Sequence, residues 1–478
     1  MRTGIRHAGR LPLALAAALS GCATMKPGLG FDDVRSQVSE RAGVRTHWNN
    51  GTLADDEARA AVASLLEAEL TADAAVQLAL LNNHELQAVY EGLSIAQADV
   101  VQAGLLRNPV FSGEVRFASG GGGTAVVLDV AQDFVSLLSM PLRRGRAEAS
   151  FEAAKLRVTA GVLDMAYEVR TAFFDYQAAE QSRDMRRTVL EATAASYDLA
   201  TRLRAAGNNR ELDVLRERTF YEQSRLELAQ AETAASRERE RMNSLMGLWG
   251  EPSARWRASA RLPALPDEAI SLEGLESRAI GASLDLAILR REAEIAARSA
   301  GIARPFAWLD ETQVGIAGER ETEGGWSVGP SVALPIPLFD QGQATIGEAQ
   351  ARYRQASERL VARAVEIRAR VRAAHGDVLA AQQRVRFYEG VILPLRSQII
   401  EQTQLQNNAM QVSAFELLQA KRDQITAGGE YVGALHDYWR ARATLDSLIQ
   451  GRMRSFQEAA SSGESTTMTP GSSGDGGH

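Results

Sequence analysis

Residues 330 to 344 read PSVALPIPLFDQGQA: an alternating run, a Pro-x-Pro-Leu break, and a polar turn carrying Gly342. A long Ala-rich stretch follows, without proline until Pro394. Residues 135 to 147, VSLLSMPLRRGRA, read the same way around Pro141 and Gly145. Period-two alternation marks a strand, and a proline-free Ala-rich run marks a helix. Turns from strand to helix are therefore expected twice, at Pro141 and Gly145 and at Pro335, Pro337 and Gly342.

Working outward from these two turns, the chain proves to be duplicated. LTADAAVQLALLNNHEL at 70–86 aligns with ISLEGLESRAIGASLDL at 270–286, an offset of 200. Pro109 pairs with Pro305 and Pro141 with Pro337 at 196, and LMG at 245–247 pairs with IQG at 449–451 at 204. The offset drifts in steps of four or eight, close to whole helical turns, so an apolar stripe keeps its bearing. Each half predicts a helix (73–107; 272–304), two strands (109–118 and 124–135; 309–320 and 326–338), a very long helix (146–206; 344–408) and a last helix (212–248; 413–450). Proline inside a helix costs about 3 kcal/mol, and none occurs between Pro141 and Pro252. Pro394 is the exception and predicts a kink. A helix of about sixty residues is about 90 Å long, which suits a structure that spans a gap.

The strands carry a second constraint. Phe111, Val115 and Phe117 alternate with Ser112, Glu114 and Arg116, and Trp326, Val328, Val332 and Leu334 with Ser327, Gly329, Ser331 and Ala333. Val126, Leu128 and Val130 lie opposite Val127, Asp129 and Ala131. An apolar face backed by a small or polar one is the pattern of membrane strands around a wet lumen, and about ten residues cross a bilayer when tilted. Four strands cannot close a barrel, which needs about eight. An open edge cannot sit in lipid, so membrane strands here would require several copies of the chain.

The start is basic (Arg2, Arg6, Arg10), then apolar (Leu11 to Leu19), then Leu-Ser-Gly-Cys ending at Cys22, the chain's one cysteine. A basic n-region and short h-region read as a secretory signal. The ending resembles the lipobox of bacterial lipoproteins, which implies cleavage before Cys22 and its lipidation; Ala23 after it favours sorting to the outer membrane by the same resemblance. The Ser/Gly-rich stretch at 456–478 reads as a disordered tail. A net charge of −7 argues against nucleic acid as a partner. Six histidines show no metal-ligand spacing, and SGGGGT at 119–124 lacks the Lys and following Ser/Thr of a phosphate loop, so no enzyme, cofactor or metal site is expected. His84-Glu85 and His436-Asp437 read as polar pairs on helix surfaces.

Three stretches, AVQLALLNNHELQA (75–88), GPSVALPIPLFDQGQATIGEAQA (329–351) and GNNRELDVL (207–215), together resemble the TolC-type outer-membrane efflux channel family over about residues 31 to 455. In the second helix turn, NNAMQVSAFELLQAK (407–421), Met410 stands where many members have glycine. The resemblance implies a mainly α fold with a membrane β part, assembled as a homotrimer. Its four strands per copy make a 12-stranded barrel continued by a long α-helical barrel through the periplasm. It implies passive export of small toxic molecules or metal ions, fed by a periplasmic adaptor and an inner-membrane pump. A type I protein-secretion exit channel, or a soluble periplasmic coiled-coil protein, is the alternative. By the same resemblance the turns near 204–213 and 406–416 form the closed end and meet the adaptor. Arg202, Arg204, Arg210, Glu211, Asp213, Gln404, Asn407, Asn408 and Glu416 are the candidate gate or adaptor contacts. The expected organisation is a signal peptide (1–21), a lipid-anchored segment (22–69), a first repeat (70–250, hairpin 109–135), a linker (251–269), a second repeat (270–455, hairpin 309–338) and the tail (456–478).

Overall fold

The computed structural model describes residues 25–26, 28–117, 124–208, 210–267, 271–306, 312–320, 324–334, 336, 338–339 and 341–453. They fall into two compact units. One is built from Glu91–Lys155 and Arg291–Ser357, with the described residues up to Asp32; the other from Asp33–Tyr90, Leu156–Arg290 and the described residues from Glu358.

In chain order the elements are α1 (Phe31–Ala42), α2 (Leu53–Glu67), β1 (Glu69–Leu70), α3 (Ala72–Asn82) and α4 (His84–Ala103). Then come β2 (Val110–Phe117), β3 (Thr124–Asp133), α5 (Phe134–Ala205), α6 (Glu211–Met246), α7 (Glu251–Arg255) and β4 (Arg257–Ala258). The second repeat supplies α8 (Leu275–Ala282), α9 (Leu284–Phe306), β5 (Gln313–Arg320), β6 (Trp326–Ala333) and α10 (Gln343–Phe387). It ends with a π turn (Tyr388–Ile392), α11 (Leu393–Asn408) and α12 (Ala414–Ile449).

The first unit holds an antiparallel sheet in the order β2-β3-β5-β6, so the two hairpins meet through β3 and β5. The expected turn at Pro141 is corrected: α5 begins at Phe134, and both Pro141 and Gly145 lie inside it. Asp133 is the reason, because its carboxylate accepts from Ser136 N–H (2.9 Å) while Ser136 Oγ donates to Asp133 O (2.8 Å), closing the first turn. Pro141 lacks the N–H that would bond Leu137 O, and Arg143 Nη2 donates to Ser136 O (2.7 Å) in the turn before it. At the second transition Gly342 has φ +75° immediately before α10, a left-handed step that glycine takes without strain. Pro335 and Pro337 lie outside the described residues.

In the second unit each expected first helix is broken in two, at Asn83 and at Ser283, two hundred positions apart. Both breaks are re-started by a side chain: Asn83 Oδ1 accepts from Leu86 N–H (3.0 Å), and Ser283 Oγ from Leu286 N–H (3.1 Å). The end of each repeat's last helix docks on its break. Asn82 Nδ2 donates to the carbonyls of Met246 (2.9 Å) and Gly247 (2.8 Å). In the second copy Leu284 N–H donates to Gly451 O (2.8 Å), and the Arg41 guanidinium reaches the carbonyls of Ala282 and Gln450. Gly247 (φ +66°) and Gly451 (φ +95°) sit against the backbone of Asn82 and Ala282 so closely that a Cβ would collide. Arg452 fastens the second dock, holding Asp164 (2.7 Å) and Asp285 (2.5 Å).

The N-terminal and linker segments complete this unit. β1 pairs in parallel with β4, which joins the start of the first repeat to the linker. Trp256 is buried beside β4, donates to Asn243 Oδ1 (2.7 Å), and is capped by the Arg239 guanidinium 4.1 Å from its ring centre. Val34, Val38 and Trp48 bury the apolar face of the segment containing α1.

The two helix-to-helix turns share one hydrogen-bond pattern. Asn208 N–H reaches back to Leu203 O and Gly207 N–H to Arg204 O (both 2.9 Å); Gln411 N–H reaches Gln406 O and Met410 N–H Asn407 O (both 2.9 Å). This is the Schellman closure, whose pivot residue is left-handed. Gly207 takes φ +76° and Met410 is forced to φ +57° with its side chain 95% exposed. A side chain in this region costs about 1–2 kcal/mol. Replacing Met410→Gly should therefore stabilise the chain by about 1 kcal/mol, while Gly451→Ala should destabilise it by more than about 2 kcal/mol. Thermal unfolding of the detergent-solubilised protein checks both signs, and a neutral Gly451→Ala would contradict the docking geometry.

Candidate functional site

The sheet sorts its residues by chemistry across all four strands. Cross-strand partners share a face, and the register sets Phe111 beside Val130, Ile316 and Pro330, and Val115 beside Val126. The same face carries Phe117, Leu128, Val314, Trp326, Val328 and Val332, broken only by Gly113 and Gly318, with Thr124, Gln132 and Arg320 at its ends. Its large side chains point into open space: Phe111 is 67% exposed and Ile316 62%. The opposite face carries Ser112, Glu114, Arg116, Asp129, Glu319 and Ser327 with Ala317, Gly315 and Gly329, and with Val110 and Val127 as its large apolar members; Ser331 Oγ donates to Asp129 Oδ1 (2.7 Å). A packed globular sheet buries its apolar face; this one leaves it out and keeps polar groups behind it. β2 and β6 each have one unpaired edge among the described strands. No described helix is long and apolar enough to cross a membrane.

The nine polar candidates lie at the two turns of the second unit. Arg202 pairs with Asp198 (2.9 Å), Arg204 with Glu211 (3.5 Å), and Arg210 with Asp213 (3.2 Å), which also faces Arg216 (3.7 Å). At the other turn Gln404 donates to Asn408 Oδ1 (3.2 Å), Asn407 Nδ2 donates to Val412 O (3.0 Å), and Glu416 N–H donates to Ser413 Oγ (3.3 Å). Each of these bonds stays within its own turn. Cys22 lies outside the described residues.

A link between the repeats sits about two helical turns in from these tips, on residues the sequence did not single out. Glu217 on α6 is 5% exposed and accepts from Arg422 on α12 (2.9 Å) and from Ser196 Oγ on α5. Arg422 also stacks 4.0 Å over the Phe220 ring. The pairing of an acid and a base 205 residues apart carries no local signal. Farther in, His436 is corrected from a surface pair: it faces inward to Asp175 (2.7 Å), whereas Asp437 pairs with Arg384 (3.0 Å). Burial would raise the Asp175 carboxyl. The His436 hydrogen bond and the charges of Arg440 and Arg241 outweigh burial and hold it below the usual carboxylate range. Asp446, by contrast, is pushed up by burial despite Arg442 beside it. Among the described residues no group of three or more His, Cys, Asp or Glu side chains is arranged to hold a metal ion.

This geometry has relatives. Residues 75–248 and 291–451 match the family described as outer membrane efflux protein. The cobalt-zinc-cadmium resistance protein CzcC of Cupriavidus metallidurans is 24% identical over 394 residues, covering 80% of this chain and 90% of that protein. The crystal structure of the Campylobacter jejuni CmeC outer membrane channel is similar with TM-score 0.67 at 14% identity, over 82% of this chain and 88% of that one. The open state of the Neisseria gonorrhoeae MtrE outer membrane channel gives 0.61 at 18% identity, over 79% and 88%. The family match runs through both repeats, on either side of the linker and over most of the chain, and this protein belongs to the outer membrane efflux protein family.

Proposed function

We propose that the chain acts as a trimer, lipid-anchored through Cys22, whose four-stranded sheets pool into a 12-stranded barrel. The observation that carries this is the sheet itself. Its outward face is apolar on every strand, and its two free edges need partners before they can enter lipid. The small and polar face then lines a water-filled lumen. The helical part extends the conduit into the periplasm, where the turns at Gly207 and Met410 meet an adaptor joined to an inner-membrane pump. Conduction is passive, with energy supplied by the pump. The nine polar residues at the turns, together with the Glu217–Arg422 link, hold the tip closed and exchange partners when it opens. The similarity to a cobalt-zinc-cadmium resistance protein favours divalent metal ions as cargo over drugs or secreted protein.

One paired substitution tests both membrane face and lumen. Ile316→Arg puts a charge on the apolar face at a cost of about 2–4 kcal/mol per protomer, and should abolish membrane insertion and metal tolerance. Ala317→Arg, one residue along, should insert and assemble normally but shift single-channel selectivity toward anions. Membrane fractionation, planar-bilayer recording and growth on cobalt, zinc and cadmium read these out. Equal insertion of the two variants would contradict the facing; full loss of the channel without loss of metal tolerance would contradict the cargo.

A further inference from the structure

At the base of the sheet the first repeat turns from strand to helix, and the chemistry changes in bands. Arg107 and Asp133 pair at the last rung (3.1 Å), and Gln132, which ends the apolar face, donates to Arg107 O (2.8 Å). A band of leucines follows: Leu105 and Leu106 just before Arg107, and Leu137, Leu138 and Leu142 in the first turns of α5, each between 40% and 48% exposed. A band of arginines comes next. Arg143, Arg144 and Arg146 lie on α5 just beyond Leu142, and Arg298 of α9 donates to Gly145 O between them. Arg144 packs beside Gly104, where a Cβ would lie 3.8 Å from its Cδ, so Leu105 and the arginines are neighbours.

The arginine band is only half neutralised. Arg144 Nε takes Glu148 (3.0 Å) and Arg298 takes Glu294 (2.6 Å), whereas no carboxylate among the described residues pairs with Arg143 or Arg146. The second repeat reverses the sign. At the repeat offset of 196, Phe339, Asp340, Gln341 and Gly342 stand where the first copy has Arg143 to Arg146, and no basic residue occurs between Glu321 and Ala351. The basic patch therefore belongs to one sector of each chain and is not a property of the duplicated unit.

Apolar then cationic is the order met on leaving the hydrocarbon of a bilayer. The middle of the leucine band is about 7 Å from the middle of the arginine band along α5, and a headgroup layer is about 5–7 Å thick. Exposed leucines gain by entering hydrocarbon, and a guanidinium takes two phosphate oxygens at once in its planar fork. The leucine band also continues the apolar face of the sheet, through Gln132.

We propose that this patch binds one phospholipid of net negative headgroup per chain, its acyl chains along Leu105, Leu106, Leu138 and Leu142 and its phosphate held by Arg144 and Arg146. The site rests on the membrane reading given above and adds to it a lipid of stated charge. A zwitterionic headgroup brings its own cation to the phosphate and leaves the arginine band uncompensated; an anionic one does not.

The test uses the full-length lipidated protein in a non-ionic detergent, with dioleoyl phosphatidylglycerol or dioleoyl phosphatidylcholine added and bound lipid counted by native mass spectrometry. Phosphatidylglycerol should bind once per chain and about thirtyfold more tightly than phosphatidylcholine. Arg144→Gln with Arg146→Gln should remove that preference, and Arg144→Lys with Arg146→Lys should keep most of it. Arg146→Gln alone, where no ion pair is broken, should weaken binding about fivefold and serves if the pair fails to fold. Millimolar inorganic phosphate should not displace the lipid. In vesicles, Leu138→Trp should add fluorescence that phospholipids brominated on their acyl chains quench. Equal binding of the two lipids, or an unchanged preference in the Gln pair, overturns the site. So does displacement by inorganic phosphate, which marks a free-anion site. An added ring that brominated lipids leave unquenched also overturns it, since a second copy of the chain then covers the leucines. A trimeric, conducting protein indifferent to headgroup charge overturns the site and leaves the channel reading standing. A monomer that binds phosphatidylglycerol through these arginines sinks the channel reading and leaves the site standing.

Discussion

An unpaired strand edge cannot be left in hydrocarbon, where no water is available to its N–H and C=O groups. The whole chain is arranged around that constraint. Its sheet presents Phe111, Leu128, Ile316 and Val328 outward on one continuous face, and ends at β2 and β6 with bonds unmade among the described strands. Duplication supplies two hairpins per chain, and in the trimer proposed above repetition of the chain supplies the rest. Trp326 beside Arg320 places an amphipathic ring at the strand end next to the second hairpin tip, the kind of ring that settles at a membrane surface.

The duplicated helices show what was kept and what was changed. The break at Asn83 and its copy at Ser283 use different side chains for one task, re-starting a helix while its neighbour's terminal glycine docks against the exposed backbone. The turns at Gly207 and Met410 keep one hydrogen-bond pattern although one of them strains a methionine to do so. Where the copies diverge is in the regularity of their long helices. Pro394, the π turn and the Gly428-Gly429 pair belong to the second copy alone, against an uninterrupted α5 and a glycine-free α6.

Period and proline placement made much of this readable. The alternation in 111–117 and 326–333 assigned each residue to the face it occupies, since a strand's side chains have no third direction. The repeat offset was legible by aligning the chain with itself, and Pro394 marked the place where the helix departs from regular α geometry in a π turn. Three things were not. The helix start at Asp133 was hidden because Pro141 resembles a boundary, yet Asp133 and Ser136 close the first turn well ahead of it. The breaks at Asn83 and Ser283 depend on a partner glycine more than 160 residues away. Glu217 with Arg422, and His436 with Asp175, are contacts between helices, and no spacing along the chain announces them. The polar candidates at the tips were located by analogy with the family's turns, and Arg204 with Glu211, Arg210 with Asp213 and Gln404 with Asn408 are contacts of near neighbours in the chain.

The mass of the membrane-extracted, lipidated protein in detergent, measured by light scattering with the bound detergent subtracted, is the most direct test. Three protomers of 51.7 kDa each, less the signal peptide, are what a shared 12-stranded barrel requires. A monomer, or a protein released from membranes by salt without detergent, would contradict it.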